Sequence, residues 1–427
     1  MAFRPAPTDH PLISGVPWFD DRGDTVNAHG ACLVEDGDRV YLFGEFKSDE
    51  QNVFNGFSCY SSEDLVHWRF ERIALPVQQA GLLGPDRVGE RPKVMRSATT
   101  GQYVMFMHTD DRRYLDAHIG VAVSDTINGE YRFLGALEHH GQPIRRWDMG
   151  TFQDDDGTGY LLLHEGDIYR LSDDYLTAVE LVATEVGRGG ESPAVAKIDA
   201  TYYLMLSNKT SWDSNDNFHL SAPSLHGPWT FQGPFAPGGT QTWNSQCSFA
   251  FDITTDHGTT AMYLGDRWSF PHQKSAATYV WQPLAANDGH LAMPRYAPSW
   301  SPRTGENATL QGVHSSAEFV SDVPGETTSF SFNGTGIAIF GRSKPDGAYA
   351  RVEVANERGD VVSDVFVTFY SKVPHDGYRY VSPQLAPGKY TLRVTVEGVP
   401  PVWSDKSGAR FGSVGSHVDI NGFTVLP

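Results

Sequence analysis

Short apolar runs separated by turns dominate the chain, and five of these runs share one pattern. A turn, often with Gly or Asp, leads into a short strand in which a tyrosine stands among aliphatic residues, as in GDRVYLFG (37–44) and GQYVMFMH (101–108). The tyrosines are Tyr41, Tyr103, Tyr160, Tyr203 and Tyr263, at spacings of 62, 57, 43 and 60 residues. Helical periodicity is nearly absent. Five units of this size predict a five-bladed β-propeller, and the alternative is a chance repetition of strand sequences in an all-β sandwich.

The pattern changes near Pro298. Residues 296–310 are rich in Pro, Ser and Gly, which is typical of a linker. Strands with alternating apolar and polar residues follow, as in TSFSFNGTGIAIFG (328–341) and GKYTLRVTV (388–396). Alternation with period two predicts a β-sandwich. We therefore predict an all-β chain with a propeller over residues 1–300, a linker over 301–311 and a β-sandwich over 312–427.

Composition narrows the range of partners. The 427 residues are 40% hydrophobic and 20% charged, which suits a folded globular protein of two domains. The formal net charge of −19 repels phosphate backbones, so we expect no nucleic-acid partner. The sequence contains no apolar window of about 18 residues, so we expect no membrane partner.

The N-terminus and the cysteines predict the compartment. The segment MAFRPAPTDHPLISG lacks the apolar stretch of a secretory signal. Cys32, Cys59 and Cys247 are odd in number and show no metal-binding spacing. Reduced thiols in a cytoplasmic protein are therefore expected, and secretion is the alternative if a signal segment has been removed.

Two acidic residues stand at predicted strand entries, where the loops of a propeller converge on one end of its central channel. Glu191 lies in RGGESPAVAKIDATYYL, and Asp148 lies just before a strand in RRWDMGTFQ. Glycoside hydrolysis uses opposed groups of this kind, one of them a protonated acid. Glu191 would need a raised pKa for that role, and an ordinary exposed turn glutamate is its alternative.

Two further polar residues occupy similar positions. Glu90 lies in GERPKVM, beside an Arg-Pro pair, and a surface ion pair is its alternative. Gln246 lies in TWNSQCSFAF, where it could simply satisfy backbone groups. The first repeat differs, because Asn27-Ala28-His29-Gly30 opens its strand and residues 25–34 contain no carboxylate. A mechanism with paired acids must therefore find its second group in another blade.

Six segments resemble, in order, the blades of glycoside hydrolase family 43, and more closely its exo-β-1,3-galactanase branch. They are NAHGACLVEDGDRVYLFGE, ERPKVMRSATTGQYVMFMH, RWDMGTFQDDDGTGYLLL, GGESPAVAKIDATYYLMLS, WNSQCSF, and LGDRWSF followed by YVWQPL. The resemblance covers roughly residues 20–285 and implies a five-bladed propeller that hydrolyses glycosides with inversion. Most of the family has a base aspartate in the first blade, whereas the galactanase branch has Asn-Ala-His-Gly there, as this chain does.

The resemblance also implies roles for the four polar residues. Glu191 matches the general acid, and Asp148 matches an aspartate that modulates its pKa or binds the sugar. Glu90 matches a further glutamate that is essential in the branch. Gln246 matches a glutamine that is proposed to hold, and to activate, the attacking water. A neutral amide is a poor base, so activation would need an unusual tautomer or a relay to Glu90.

Sugar contacts are expected from aromatic faces, which stack on a pyranose, and from polar groups that bind its hydroxyls. The candidates are Tyr114, Trp147, Thr210, Trp243, Asn244, Asp266, Arg267 and Trp268, with Asn27, His29 and Glu45 as further residues of the pocket wall. Core packing is the alternative for each tryptophan, and a structural hydrogen bond is the alternative for His29.

The second domain resembles a galactose-binding-like β-sandwich of the carbohydrate-binding-module type, on phrases such as NGTGIAIFG and LAPGKYTLRVTV. Glycan binding and bracing of the propeller are both open for it, with bracing favoured. The whole chain is predicted to be an exo-glycosidase that releases galactose from β-1,3-galactan, galactose-containing oligosaccharides or arabinogalactan side chains. A β-D-galactofuranosidase or arabinofuranosidase, and a non-catalytic glycan-binding propeller, are the alternatives. No cofactor is expected, and a structural calcium ion has no ligand series dense enough to assign.

Overall fold

The computed structural model describes residues 2–405 and 408–427, and its first part consists of short strands. In chain order these are β1 (Leu12–Ile13), β2 (His29–Asp36), β3 (Arg39–Glu45), β4 (Phe57–Ser62), β5 (Arg69–Leu75), β6 (Arg87–Arg96), β7 (Tyr103–Asp111), β8 (His118–Ser124), β9 (Arg132–Ala136), β10 (Glu138–His139), β11 (Gln142–Pro143), β12 (Met149–Gln153), β13 (Gly159–Leu163), β14 (Ile168–Leu171), β15 (Ala178–Ala183), β16 (Gly190–Ile198), β17 (Thr201–Asn208), β18 (Phe218–Ala222), β19 (Thr230–Pro234), β20 (Gln246–Thr255), β21 (Gly258–Arg267), β22 (Thr278–Pro283), β23 (Ala285–Asn287), β24 (His290–Ala292) and β25 (Ser299–Trp300). Short helical turns occur at His164–Gly166 and Gln241–Asn244. No helix in the described ranges is long and apolar enough to cross a membrane.

All of these strands except β1 and β23–β25 form five sheets that surround a common axis. The sheets comprise β2–β5, β6–β9, β12–β15, β16–β19 and β20–β22, and β10 and β11 extend the third one at its outer edge. The first strands contact one another in a closed ring, from β2 through β6, β12, β16 and β20 back to β2. Each tyrosine of the sequence repeats lies on the second strand of its sheet, namely β3, β7, β13, β17 and β21. The predicted five-bladed propeller is therefore confirmed.

The fifth blade has three strands, and the N-terminal segment completes its outer edge. Ser14 Oγ donates to the carbonyl of Trp281 over 3.0 Å, and the Gly15 amide donates to the carbonyl of Tyr279 over 2.7 Å. Strand β1 also pairs with β25. Residues from before the first blade thus join the last one, which ties the two ends of the ring together.

Four of the first strands contain a bulge near their start. The register shifts lie between His29 and Cys32 in β2, Glu90 and Lys93 in β6, Glu191 and Ala194 in β16, and Cys247 and Phe249 in β20. Gly30, Arg91 and Ser192 occupy the same place in three of these bulges and have left-handed backbones, with φ of 58, 51 and 57°. A bulge redirects the neighbouring side chains away from simple alternation. The strand entries of different blades therefore present their side chains in a similar way.

The second part of the chain contains the strands β26 (Val313–Ser321), β27 (Thr327–Gly334), β28 (Gly336–Ser343), β29 (Tyr349–Asn356), β30 (Val361–Thr368), β31 (His375–Val381), β32 (Gly388–Val396), β33 (Val402–Ser404), β34 (Arg410–Gly412) and β35 (Val418–Leu426). Two four-stranded antiparallel sheets result, in the orders β26-β35-β28-β31 and β27-β32-β29-β30. Apolar side chains such as Ile339, Val352 and Leu392 are fully buried between them. The predicted β-sandwich is confirmed.

Candidate active site

Four predicted residues lie where the first strands of the blades begin. Glu90 lies in β6, Glu191 lies in β16, Gln246 is the first residue of β20, and Asp148 immediately precedes β12. Gln246 Nε2 donates to Glu191 Oε1 over 2.9 Å, and the Arg91 guanidinium bridges Asp148 and Gln246. One polar cluster therefore unites groups from four blades.

The Gln246 side chain is almost completely buried and uses all its hydrogen-bonding positions. Its amide nitrogen donates to Glu191 Oε1 (2.9 Å) and Ser207 Oγ (2.8 Å). Its amide oxygen accepts from Arg91 Nη2 (2.6 Å) and Trp268 Nε1 (2.8 Å). Arg and Trp can only donate, so these partners determine which way the amide faces. The amide oxygen already accepts two hydrogen bonds, which opposes its acting as the base that the resemblance implies.

Glu191 has the properties of a proton donor. Burial raises its pKa to about 8, helped by the nearby Asp148 carboxylate and opposed by Arg91 and Lys209. A carboxyl group with this pKa is protonated at neutral pH and can lose its proton at little cost. General acid catalysis near neutral pH requires this combination. The alternative of an ordinary exposed turn glutamate is wrong for this residue.

Arg91 joins the groups of the cluster, although the sequence did not single it out as functional. It is 5% exposed, and its Nε lies 2.9 Å from Asp148 Oδ2 while its backbone amide donates to Glu45 Oε1 over 2.9 Å. Burial disfavours its charge, but the surrounding carboxylates outweigh this and raise its pKa above the usual range. The surface ion pair considered for Glu90 and its neighbouring arginine does not form, because both residues are buried and Arg91 pairs with Asp148.

Glu90 is surrounded by hydrogen-bond donors. Its Oε1 accepts from the Tyr114 hydroxyl over 2.7 Å, and its Oε2 lies 3.2 Å from His108 Nδ1. Burial alone would raise the pKa of Glu90, but His108, Lys47 and Tyr114 together hold it well below its usual range. Burial lowers the pKa of His108, and its hydrogen bonds to Asp110 and Glu90 outweigh that effect and raise it to about 9. Glu90 is therefore a firmly ionised carboxylate, which suits stabilisation of positive charge better than proton abstraction.

The first blade contributes a buried ion pair next to Glu90 of the polar cluster. Glu45 Oε2 lies 2.5 Å from Lys47 Nζ, and both side chains are 3% exposed. The Asn27 amide is fully buried and exchanges two hydrogen bonds with the backbone of Lys47, of 2.9 and 3.0 Å. His29 is also fully buried and stacks on Tyr279 with ring centroids 5.2 Å apart. The expectation that Asn27 and His29 form the pocket wall is therefore wrong. Both side chains pack inside the protein, where they stabilise the start of β2.

A left-handed turn, Gln241–Asn244, precedes Gln246. Two other predicted residues, Trp243 and Arg267, have their contacts in or with this turn. Its four residues have φ between 50 and 56°, a conformation that costs roughly 1–2 kcal/mol per residue. The buried Arg267 guanidinium holds the turn by donating to the carbonyls of Trp243 (3.1 Å) and Asn244 (3.0 Å). The Trp243 indole donates to the carbonyl of Met293 over 3.1 Å. Arg267 and Trp243 thus serve the scaffold, and Arg267 also borders the cleft, where its contact with sugar stays a prediction.

Three other predicted contacts are engaged with the protein itself. Thr210 Oγ1 donates to the carbonyl of Asp213 over 2.7 Å, and Asp266 Oδ1 accepts from the Gly30 amide over 3.1 Å. Asn244 Oδ1 accepts from Ser214 Oγ over 2.8 Å. Thr210 acts as a support within its own loop, whereas Asp266 and Asn244 both border the cleft, where their contact with sugar stays a prediction.

Aromatic side chains line two cavities beside the polar cluster, with Trp212 and Trp268 in one and Trp147 in the other. Trp147 is 42% exposed and packs edgewise on His164, at 5.3 Å. Trp268 is fixed by its hydrogen bond to Gln246, and Trp212 packs on Trp268 with ring centroids 5.4 Å apart. The sequence prediction missed Trp212, although it lies only two residues after the predicted Thr210.

Comparisons with known proteins agree with this geometry. The model of the glycosyl hydrolases family 43 matches residues 31–229. The crystal structure of a candidate exo-β-1,3-galactanase from Bifidobacterium bifidum s17 is 38% identical, with a TM-score of 0.59 over 66% of this chain and 95% of that one. The chain belongs to glycosyl hydrolase family 43. The resemblance seen in the sequence is thus confirmed, and this member of family 43 is a glycoside hydrolase whose substrate is a carbohydrate.

Two further solved structures of family 43 are similar over most of the chain. An exo-β-1,3-galactanase from Phanerochaete chrysosporium, solved with galactose, is 27% identical with a TM-score of 0.71, over 97% of this chain and 99% of that one. An exo-β-1,3-galactanase from Clostridium thermocellum is 25% identical with a TM-score of 0.63, over 95% of this chain and 88% of that one. A search of curated proteins finds no match.

One group of side chains in this family 43 enzyme has the composition of a metal site. Glu90, His108 and Asp148 each present an atom within 4.8 Å of the others. The raised pKa of His108, about 9 because its hydrogen bonds outweigh burial, keeps both ring nitrogens protonated at neutral pH. A metal ligand must be a neutral imidazole, and the Arg91 guanidinium already lies 2.9 Å from Asp148. In this structure the group is therefore held together by hydrogen bonds and ion pairs among its own side chains and with Arg91.

Proposed function

We propose that the protein is an inverting exo-glycosidase that releases terminal β-1,3-linked galactose from galactan or arabinogalactan oligosaccharides. The observation that supports it best concerns the Glu191 carboxyl group. Burial raises its pKa to about 8, and the group contacts the Gln246 amide at 2.9 Å. The solved relatives described as exo-β-1,3-galactanases, one of them bound to β-1,3-galactotriose, indicate the sugar and the linkage.

In the proposed reaction, Glu191 protonates the oxygen of the scissile bond, and a water molecule attacks the anomeric carbon from the opposite face. Gln246 Nε2 holds that water by exchanging its hydrogen bond to Ser207 for one to the water, while Arg91 and Trp268 polarise the amide from the other side. The ionised Glu90 and the nearby carboxyl group of Asp148 stabilise the positive charge that develops on the sugar ring. The added water then releases its proton to solvent and Glu191 regains one from solvent, because the Glu90 carboxylate, whose pKa is held so low, is a weak base.

The sugar specificity can be tested with a panel of nitrophenyl glycosides together with β-1,3-galactobiose. We expect release of galactose from β-1,3-galactobiose and none from furanosides. Cleavage of a galactofuranoside or arabinofuranoside without cleavage of galactobiose would instead support the furanosidase alternative.

The role of Glu191 can be tested in the same assay. We expect Glu191→Gln to lower kcat on galactobiose by at least roughly 10²-fold, because it removes the proton donor, while galactose still binds. Ser192→Ala is unsuitable as a control because that residue is part of the bulge, so Glu357→Gln, an exposed glutamate of the sandwich paired with Lys389 at 3.5 Å, serves instead. Activity of Glu191→Gln equal to that of Glu357→Gln would remove Glu191 from the acid role.

A further inference from the structure

The sandwich domain forms part of the cleft next to the Gln246 end of the active site. The cleft wall there combines Trp212, Gln246 and Trp268 of the propeller with Thr368, Tyr370 and Trp403 of the sandwich. The two domains therefore share one wall, although the polar cluster described above belongs to the propeller alone.

The main connection runs through Asp213, in the loop of residues 209–217 between β17 and β18, here called the Trp212 loop. Asp213 has a side chain that is only 4% exposed, and Lys372 Nζ of the sandwich lies 2.9 Å from its Oδ2. The Tyr370 hydroxyl donates to its Oδ1 over 3.1 Å. Lys372 Nζ also donates to the carbonyl of Ser214 over 2.9 Å. A buried carboxylate requires such partners, so the sandwich determines where this part of the loop can lie.

The Trp212 loop passes this constraint to the active site. Asp213 directly follows Trp212, whose ring lies 5.4 Å from that of Trp268. The Trp268 indole in turn donates to Gln246 Oε1 over 2.8 Å. Lys47 Nζ lies 5.5 Å from the centre of the Trp212 ring and also contacts Glu45 and Glu90. Any shift of Asp213 would therefore move an aromatic wall that is packed directly on a partner of Gln246.

A second contact holds the other side of the same wall. The hydroxyls of Ser269 and Tyr349 share a hydrogen bond of 2.6 Å, and Ser269 directly follows Trp268. His272 stacks on Phe366 of the sandwich with ring centroids 4.0 Å apart. The segments that bear Trp212 and Trp268 are thus both attached to the second domain.

We propose that Tyr370 and Lys372 of the sandwich are positioning residues for glycoside hydrolysis, because they hold Asp213 and thereby set the position of Trp212 against the bound sugar. This inference rests on the proposed function and adds that the second domain is part of the specificity of the site. Tyr370 lies 157 residues after Asp213 in the chain, and Lys372 lies 158 residues after Ser214. These two side chains of the sandwich hold the aromatic wall of the site in place.

The test is steady-state kinetics of the full-length protein on β-1,3-galactobiose, with inhibition by free galactose as a measure of binding. Lys372→Met leaves Asp213 buried without its cation, and we expect kcat/KM to fall about 10- to 100-fold, mainly through KM, because the wall is displaced. Tyr370→Phe removes one hydrogen bond, and we expect KM to rise about threefold. Lys372→Arg keeps the charge at the same place and should recover most of the loss.

Lys389→Met is the matched control, because Lys389 lies in the same domain and pairs with Glu357 at 3.5 Å with side-chain exposures of 71% and 65%. It should leave kcat, KM and galactose inhibition unchanged. Wild-type KM and galactose inhibition in Lys372→Met would overturn the inference. If Lys372→Met does not fold, Tyr370→Phe decides, and an unchanged KM in that variant would overturn it. A wild-type protein that cleaves no galactoside would instead refute the proposed function.

Discussion

Replacing Gln246 by glutamate should change the titration of Glu191 more than any other single substitution. The exchange keeps the size of the side chain and puts a carboxylate oxygen where Nε2 now donates to Glu191 Oε1 over 2.9 Å. Two unit charges at that separation repel by ~6 kcal/mol at an effective dielectric constant of about 20, equivalent to ~4 pKa units as an upper bound. Arg91, 2.6 Å from the other oxygen, offsets part of this, and we expect a rise of at least ~2 units.

The assay is the pH dependence of kcat/KM, which reports the pKa of the free enzyme's acid. The substrate should be β-1,3-galactobiose, because a nitrophenolate departs without protonation and would hide the acid. In the wild type the activity should fall as the pH rises through about 8, where Glu191 loses the proton that burial makes it hold. In Gln246→Glu that fall should move to a pH at least ~2 units higher, because the pair of carboxylates shares one proton.

A control variant and a comparison with the wild type make the result decisive. Ser207→Ala removes the other acceptor of Gln246 Nε2, at 2.8 Å, without adding charge, and its activity should still fall near pH 8. Burial also lowers the pKa of Lys93 to about 8, so the position of the fall in the wild type does not identify Glu191 by itself. A fall in Gln246→Glu within a few tenths of a unit of the wild-type position would refute the assignment.

Three further predictions concern stability and binding. Burial raises the pKa of Glu191 in the folded protein to about 8. Between about pH 4.5 and pH 8 the folded protein therefore holds a proton that the unfolded chain has released. This residue consequently lowers the stability as the pH rises through that range. The stability of Glu191→Gln relative to the wild type should therefore increase by about 3–4 kcal/mol between pH 5 and pH 8 in urea unfolding, and a gain independent of pH would contradict this. Trp147→Ala should change the free energy of unfolding by less than ~1 kcal/mol, since Trp147 is 42% exposed, yet raise KM for oligosaccharides several-fold; an unchanged KM would remove it from the sugar site. Gly30→Ala should cost about 2–3 kcal/mol in the same unfolding assay, because φ is +58° and the new Cβ would lie against the Glu45 carboxylate, whereas Gly37→Ala, in an open turn with φ of +67°, isolates the cost of the backbone alone.

The repeat and the strand entries were predictable because both depend on local sequence. A tyrosine among aliphatic residues after a turn marks the second strand of every blade, from Tyr41 on β3 to Tyr263 on β21. Glu191 and Asp148 were found because each stands where a strand begins. Their protonation could not be read in the same way, since the pKa of Glu191 depends on burial and on a carboxylate from another blade.

The sequence contains a signal that would have identified Arg91, but it was not used. The triplets Glu90-Arg91-Pro92 and Glu191-Ser192-Pro193 have the same form and occupy the same bulge in two blades. Aligning them would have placed Arg91 beside a catalytic glutamate instead of on the surface. The left-handed backbone of both middle residues turns the arginine toward Asp148.

Several predicted sugar contacts have roles in the fold that the sequence did not show, because a polar residue near a site can serve the ligand, the fold or both. Asn27 and Arg267 bind backbone groups of Lys47 and of the turn before Gln246. These contacts depend on tertiary positions that no spacing in the chain reveals. The same is true of Lys372, which reaches Asp213 from the other domain.

The measurement that tests the central claim most directly is NMR spectroscopy of the anomeric proton during hydrolysis of β-1,3-galactobiose. The account predicts that α-galactose appears first and that the β-anomer follows only by mutarotation, because water attacks the face opposite the departing sugar. Initial appearance of β-galactose would contradict the inverting reaction of Glu191 and a water held by Gln246, and no release of galactose would contradict the proposed activity itself.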